Sequence, residues 1–292
     1  MEKRMLMIGF VVAVGLLCSV SFAGGPLGPP RAFVGHGKWL VDVEYAHESI
    51  DLKACGTPNV GRENPSGVWT WDSENQSFRI EDMRLNMFFG SLAYGLCENW
   101  DVFARVGAAD AKDEVKTTID YGSGEKYNFD GSYGFAWGVG TRATFCQCGP
   151  WTFGAVGQLT WFNPGDAEDT FAFDADNINS AKFDLNWRQF QVGLGATYQG
   201  DGWWVYGGPC WFFVNGDFDV HITSTSVVGG EVPVTWTDYA NGTLDLREES
   251  EFGGWIGVGC DLPQNAKCYA EAQIYGDGWA IAGGVLFPLA VQ

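Results

Sequence analysis

The chain has 292 residues, enough for one large all-β domain or for two domains of ordinary size. Aromatic residues make up 15% of it and 41 residues are glycine, whereas only 18% are charged, so neither a disordered chain nor a collagen-like repeat fits. The formal net charge of −19 argues against nucleic acid as a partner and against docking on anionic lipid through a basic patch, because both need clustered lysine and arginine.

The first segment has the organisation of an export signal. A basic start, "MEKR", precedes an apolar run and then "SFA" at 21–23, whose small residues stand where a signal peptidase reads. We therefore predict a signal peptide over 1–23, an N-terminal linker over 24–37 and the exported domain over 38–292. Loss of the signal's two basic residues and one acidic residue changes the net charge from −19 to −20, so the exported protein stays acidic.

Apolar and polar residues alternate with period two along the exported domain, whereas helical periodicity is nearly absent. Four connections between the alternating stretches are short, namely "CENW", "CQCGP", "QGDG" and "DLPQNAK", and long acid-rich connections fall between them. The pattern predicts ten strands, over 38–46, 80–96, 100–109, 133–145, 151–162, 183–198, 203–214, 250–260, 267–275 and 279–287.

The alternation of short and long connections predicts a meander with tight turns at one end and large loops at the other. An outer-membrane barrel has this organisation, with short periplasmic turns, long outer loops and an even number of strands. A soluble sandwich with Greek-key crossovers has no reason to adopt it. Residues 218–239 also alternate, and Asn-Gly turn signals stand at 215–216 and 241–242. A membrane-crossing hairpin here would give twelve strands, but its polar faces favour an extension above the surface and ten strands.

The stretches "YGLCENWDVFARVG" and "GFAWGVGTRATF" resemble the strand–turn–strand repeats of bacterial outer-membrane β-barrel proteins. This resemblance implies an all-β, up-and-down antiparallel transmembrane β-barrel over 38–292 in the bacterial outer membrane. It also implies the lipid bilayer, lipopolysaccharide and the barrel-assembly machinery as partners. One departure is the end of the chain, because members usually finish on an aromatic residue, whereas "WAIAGGVLFPLAVQ" continues past Phe287.

The two faces of the strands predict a lumen of charged side chains. In 80–90 the apolar residues Met83 and Leu85 oppose Asp82 and Arg84, and a membrane barrel turns its apolar face to lipid. Buried charges must be paired, and ten strands leave a lumen largely filled by side chains. We therefore predict an inward arginine–carboxylate network. Its members are Arg84, Arg105, Arg142, Asp82, Asp101, Glu271 and, through a bulge near Gln189, Arg188.

Aromatic residues gather near the ends of the strands, where a bilayer's interfaces select them. At the short-turn end we expect a girdle of Trp100, Trp151, Tyr198, Trp203 and Trp204. Towards the other end we expect Trp161, Phe162, Trp187 and Trp279.

Seven cysteines remain after the predicted cleavage, and export permits disulfides. Cys260 and Cys268 flank one turn and are candidates for a cross-strand disulfide, while Cys97, Cys146 and Cys148 lie in two other short turns. Histidine is scarce, with three in the chain and none near Cys146 in sequence. We therefore expect these cysteines to form structural disulfides, and we expect no metal site and no cofactor.

The sequence favours a non-catalytic barrel that acts as a structural or surface-interaction protein, with outer loops available to an extracellular ligand. A narrow cation-preferring channel is the alternative. Asp219-Val220-His221 resembles the Asp-x-His pair of the omptin surface proteases, and this resemblance implies a general base. Such proteases need a facing acidic pair, for which Asp72 and Glu74 are the nearest parallel. Because Asp-x-His arises often by chance, we expect no enzyme.

Overall fold

The computed structural model describes residues 25–64, 66–71, 76–117, 125–165, 167–174, 177–228, 234–248, 250–276 and 278–289. The predicted signal peptide, 1–23, lies outside these residues. In the described part of the chain, no helix is long and apolar enough to cross a membrane.

The described chain is almost entirely β-strand, with one short 3₁₀ turn at Pro263–Asn265. In chain order the strands are β1 (Trp39–Gly56), β2 (Asn59–Asn64), β3 (Gly67–Trp71), β4 (Gln76–Cys97), β5 (Trp100–Thr117), β6 (Glu125–Asp130), β7 (Gly134–Cys148), β8 (Trp151–Phe162), β9 (Ala167–Asp174), β10 (Asn177–Gln199), β11 (Trp203–Val228), β12 (Val234–Glu248), β13 (Phe252–Asp261), β14 (Lys267–Tyr275) and β15 (Gly278–Leu289).

Ten strands form a closed antiparallel ring, in the order β1-β4-β5-β7-β8-β10-β11-β13-β14-β15. The ring closes because β15 pairs with β1 over twelve residues, from Trp39 opposite Leu289 to Ile50 opposite Gly278. These are the ten strands predicted from the alternation, and the up-and-down antiparallel fold is confirmed. Short turns follow β4, β7, β10 and β13 at one end, which is the periplasmic end in a barrel of this kind.

At the opposite end the strands continue as an extension of the barrel. The outer half of β11 leaves β13 and pairs with β12 from Gly216 to Val228. Strand β12 in turn pairs with the outer end of β1, where Leu52 faces Glu248, and it also carries the hairpin of β2 and β3. The described parts of this stretch, 218–228 and 234–239, therefore belong to an outer extension, and the count of ten ring strands stands.

In the membrane-spanning half, apolar side chains point outward and polar side chains point into the lumen. The outward residues Val43, Val106, Phe135 and Ile256 are each more than half exposed, as residues facing lipid must be. On β5, β7 and β14 the inward and outward sides agree with the prediction. We call this outward surface the apolar band.

In the outer half the polarity is reversed, and this corrects the prediction for β4. Met83 and Leu85 are fully buried, whereas Asp82 and Arg84 are exposed. This half stands beyond the apolar band, so water lies outside and the apolar side chains pack inside. The same packing turns Trp187 inward and leaves Arg188 outside, because β10 pairs with β8 without a bulge at Gln189.

The two aromatic girdles are present with fewer members than predicted. Trp100, Trp151 and Trp203 are exposed at the periplasmic rim. At the outer rim, Trp137 and Trp161 stack with ring centroids 4.3 Å apart. Three predicted members are buried inside instead, namely Trp204, Phe162 and Trp187.

Candidate functional site: a lumen closed by the N-terminal segment

The chain before the first strand runs through the lumen. At the periplasmic rim, Gly37 N donates to Gly95 O over 2.9 Å, and Gly95 N donates to Lys38 O over 3.1 Å. From this anchor the chain enters the barrel, and residues 25–30 are buried. We call residues 25–34 the plug. Three of its residues are prolines, which lack an N–H and fit poorly in a sheet, so its remaining polar groups need partners from the barrel wall.

Glu271 on β14 holds the middle of the plug. Its two carboxylate oxygens accept Leu27 N over 2.7 Å and Gly28 N over 2.9 Å. Tyr206 and Gln273 donate to the same carboxylate, each over 2.8 Å. Four donors around one buried carboxylate replace the water it loses, and hydrogen bonds to a charged group are stronger than neutral ones. Glu271 is therefore a principal plug-binding residue.

Arg105 on β5 holds the inner end of the plug. Its guanidinium donates to Pro26 O over 3.4 Å and to Thr160 Oγ1, and it covers the ring of Phe89 at 4.6 Å. The Glu44 carboxylate lies 3.9 Å away and supplies the opposite charge. Arg105 is 1% exposed, so this set of contacts is what permits a charge at the centre of the barrel.

A second ion pair holds the plug nearer the periplasmic rim. Arg142 on β7 lies 3.9 Å from Asp101 on β5, and Asp101 accepts Phe33 N over 2.9 Å. The Arg142 guanidinium also packs over the ring of Phe103 at 4.9 Å. The sequence placed Asp101 and Arg142 in the lumen, and the structure brings them together.

Amide side chains fill the space between these charges. Gln158 and Gln273 donate to Pro26 O and Gly25 O, each over 2.8 Å, and Gln191 donates to Gln273 over 3.3 Å. Amides both donate and accept, so they can link plug backbone to wall in a chain of bonds.

Close approach of the N-terminal segment to the wall needs glycine at two positions. A Cβ on Gly154 would stand 2.2 Å from Pro30 O of the plug, and one on Gly95 would stand 1.9 Å from O of Gly35, the residue after the plug. Any side chain at either position would push this segment away from the wall.

Strand β1 contributes three lumen carboxylates that the sequence reasoning missed. Asp42, Glu44 and Glu48 are buried on its inward side, and Glu44 accepts Tyr269 Oη over 2.7 Å. The missed signal is that all three stand at even-numbered positions, on the face of β1 opposite to the outward residues Val43 and Tyr45. Among the described residues they make, together with Asp101 and Glu271, five carboxylates buried in the lumen, against two buried guanidinium groups, Arg105 and Arg142.

Three residues predicted for the network lie outside it. Asp82, Arg84 and Arg188 are exposed on the outer wall, since their strands turn apolar side chains inward at that height. Arg188 instead borders a pocket of about 420 Å³ with Trp137, Trp161 and Asn186.

The cysteines form two close pairs. Cys260 and Cys268 are directly opposite on β13 and β14, with their sulfur atoms 2.9 Å apart. Cys146 and Cys148 have sulfur atoms 3.3 Å apart, while Cys97 is exposed at another turn. All are free thiols, so the disulfides stay a prediction. Among the described residues, no cluster of metal-ligating side chains is present.

Asp219 and His221 stand on the outward wall of the extension. They border a pocket of about 310 Å³ with Lys182 and Asp184. Asn241 contacts the His221 ring over 2.8 Å, and Asp219 accepts Thr243 Oγ1 over 2.5 Å. The acidic pair expected to face them, Asp72 and Glu74, lies outside the described residues.

A charged pair fastens the β2–β3 hairpin to the extension. Arg62 on β2 donates twice to the carboxylate of Asp238 on β12, once over 2.6 Å. These hydrogen bonds raise the pKa of Arg62 above its ordinary value. The guanidinium also lies over the ring of Trp236, 5.3 Å from its centroid.

A ring of ten antiparallel strands, with an apolar band outside and charges inside, defines a class of protein. The chain is a transmembrane β-barrel of the bacterial outer membrane, and its membrane-spanning half is surrounded by lipid. The outer leaflet of that membrane contains lipopolysaccharide, which therefore belongs to the surroundings of the barrel.

Comparison with known proteins finds partial structural similarity to several solved proteins. No protein-family model matches the sequence, and no curated protein matches it. The fold is similar to the outer-membrane protease OmpT from Escherichia coli, at 9% identity and a TM-score of 0.42, over 93% of this chain and 99% of that one. It is also similar to the translocator domain of the autotransporter NalP from Neisseria meningitidis, at 11% identity and a TM-score of 0.38, over 86% and 88% of the chains. The toluene transporter TbuX from Ralstonia pickettii matches at 12% identity and a TM-score of 0.34, over 90% and 91%.

Proposed function

We propose that the protein is a non-catalytic outer-membrane β-barrel that acts as a structural or surface-interaction protein with a closed lumen. The observation that carries this proposal is the plug. Seven of its backbone groups bond to wall side chains, from Gly25 O to Phe33 N. A diffusion pore needs a continuous water path, and a segment fixed at this many points occupies that path.

A second closure lies beyond the plug. The interior of the outer half is lined by apolar side chains that are at most 1% exposed, namely Ile50, Leu52, Leu85, Leu185, Trp187, Phe218, Leu244 and Leu246. Such a core excludes ions as well as water, because an ion has no polar partner there. It also makes the extension rigid, which suits a platform that presents outer loops to an extracellular ligand.

The first test is conductance. Full-length protein purified from outer membranes and inserted into planar bilayers is expected to show no steady openings. The second candidate function is a narrow cation-preferring channel, favoured by the excess of buried carboxylates over guanidinium groups. Steady openings with cation selectivity would overturn the closed lumen and support that second function.

A further inference from the structure

A pocket of about 420 Å³ opens on the outward wall, where the apolar band meets the outer half. Trp137, Trp161 and Arg188 form a row across β7, β8 and β10, because Trp161 lies opposite both of the others. Phe135, which is 67% exposed, and the exposed Asn186 also line the pocket. The pocket therefore combines aromatic rings with one cation and an amide, and its volume lies within the ~300–1,000 Å³ of ordinary ligand sites.

Arg188 is the first charged side chain above the apolar band on the outward face of β10. Towards the periplasm the same face carries Phe190 and Leu194, which are 39% and 42% exposed. In the other direction it carries Asn186 and Lys182, both exposed. Aromatic residues mark the interface between hydrocarbon and water, so the stacked pair beside Arg188 places its guanidinium at the depth of the lipid headgroups.

The charge of Arg188 has no counter-ion within the described part of the chain. Its direct neighbours across the sheet are Trp161 on β8 and Asn215 on β11, neither of which is charged. Asp217 stands farther out on β11, opposite Asn186, and no ion pair joins it to Arg188. The guanidinium is therefore available to an anion from outside the protein.

The groups around Arg188 indicate which anion fits. A guanidinium presents a planar set of donors that matches phosphate with two parallel hydrogen bonds. Amides such as that of Asn186 can both donate to and accept from hydroxyl groups, and the faces of aromatic rings suit the C–H groups of a sugar. Below the pocket the apolar band is available to acyl chains. A phosphorylated glycolipid combines these three parts, namely phosphate, sugar and acyl chain.

We propose that this pocket binds the phosphorylated sugar of an outer-leaflet glycolipid, the lipid A part of lipopolysaccharide, with Arg188 on a phosphate group. The site uses one guanidinium for one phosphate and needs no basic patch, which agrees with the net charge of −19. It lies on the outward wall, so it goes beyond the closed lumen and does not depend on it.

Lipid binding by the purified barrel tests the site. Full-length protein is freed of bound lipid by detergent exchange and titrated with diphosphorylated lipid A, and native mass spectrometry measures the lipid-bound fraction. The comparison probes are the same lipid without its phosphates, phosphatidylglycerol and inorganic phosphate. We expect diphosphorylated lipid A to bind most tightly, because it alone offers phosphate, sugar and acyl chains together. Equal binding of any comparison probe would overturn the proposal.

Substitutions of two exposed arginines give the matched comparison. Arg188→Gln is expected to weaken binding of diphosphorylated lipid A by about tenfold, the effect of losing one hydrogen bond between charged groups. Arg84→Gln makes the same change at an exposed position on β4, outside the pocket, and is expected to leave the affinity unaltered. Arg188→Lys keeps the charge but loses the planar set of donors, so its loss of affinity is expected to be smaller than that of Arg188→Gln.

Unchanged affinity in Arg188→Gln, or an equal loss in Arg84→Gln, would contradict a site at Arg188. Both arginines are exposed to solvent, so the variants are expected to fold, and heat-modifiable migration on a denaturing gel checks this. Conductance of the Arg188→Gln barrel reports separately on the lumen, which is expected to stay closed.

Discussion

The carboxylate of Glu271 offers a test of how firmly one side chain holds the plug. Glu271→Gln keeps the shape but sets an amide N–H₂ against one of two backbone N–H groups, that of Leu27 or that of Gly28, and removes the charge from the bond to the other. Since hydrogen bonds to a charged group contribute about 1.5–3 kcal/mol each, we expect a lower temperature for the gel-mobility shift that marks barrel unfolding.

The control for this substitution is Glu251→Gln, which makes the same change at an exposed position. It is expected to leave the transition temperature unaltered. A transition in Glu271→Gln equal to that of the unaltered barrel would show that the plug is held without this carboxylate.

Residue positions were predictable where a single strand alternates cleanly within the membrane-spanning half. Asp101, Arg105 and Glu271 lie inside for this reason. Period-two alternation states which residues share a face, but it does not state which face is inward. For Arg84 that choice depends on height relative to the bilayer, which no local pattern encodes.

The reversed polarity of β4 makes a prediction for neighbouring residues of one strand. Leu85→Asp places a carboxylate in the apolar core of the outer half, whereas Arg84→Asp places one in water. A buried charge without a partner costs several kcal/mol, so we expect Leu85→Asp to lower the fraction of folded barrel sharply and Arg84→Asp to be tolerated. Heat-modifiable migration on a denaturing gel measures both, and equal behaviour of the two would refute the orientation.

The lengths of the elements were harder to predict than their number. Strand β11 runs on to Val228, although Asn215-Gly216 is a turn signal, because those residues are paired with β10. In their described parts, the long acid-rich connections also form strands, among them β2, β6 and β9. Pairing with distant strands overrides local turn preference there.

The plug could not have been recognised from its own residues. Prolines and glycines with no periodicity indicate a connection, and the sequence gives no sign that the partners of 25–34 are as far along the chain as Glu271. Its position depends on closure of the ring, which brings β14 beside the start of the chain.

At the scale of the whole molecule, the apolar band predicts how the barrel responds to a charge facing lipid. Ile256 is the middle residue of β13 on the outward face and is 61% exposed. Arginine near the bilayer midplane of such a barrel costs about 2–4 kcal/mol. We therefore expect Ile256→Arg to reduce the yield of folded protein in vesicles, while Ile256→Val is expected to fold normally.

Denaturant titration in lipid vesicles measures this difference as a change in the free energy of unfolding. An Ile256→Arg barrel as stable as Ile256→Val would mean that this surface does not face hydrocarbon.

The outward face of the wall is apolar in the membrane-spanning half and polar in the outer half. The boundary between these two surfaces also determines how deeply the barrel lies in the bilayer. A shift by one residue along each strand is about 3.3 Å. Sinking further would bring His47 and Asn86 towards hydrocarbon, and rising would expose more of the outward aromatic side chains to water. The depth of the protein in the bilayer is thus set by the side chains on the outer surface of its own wall.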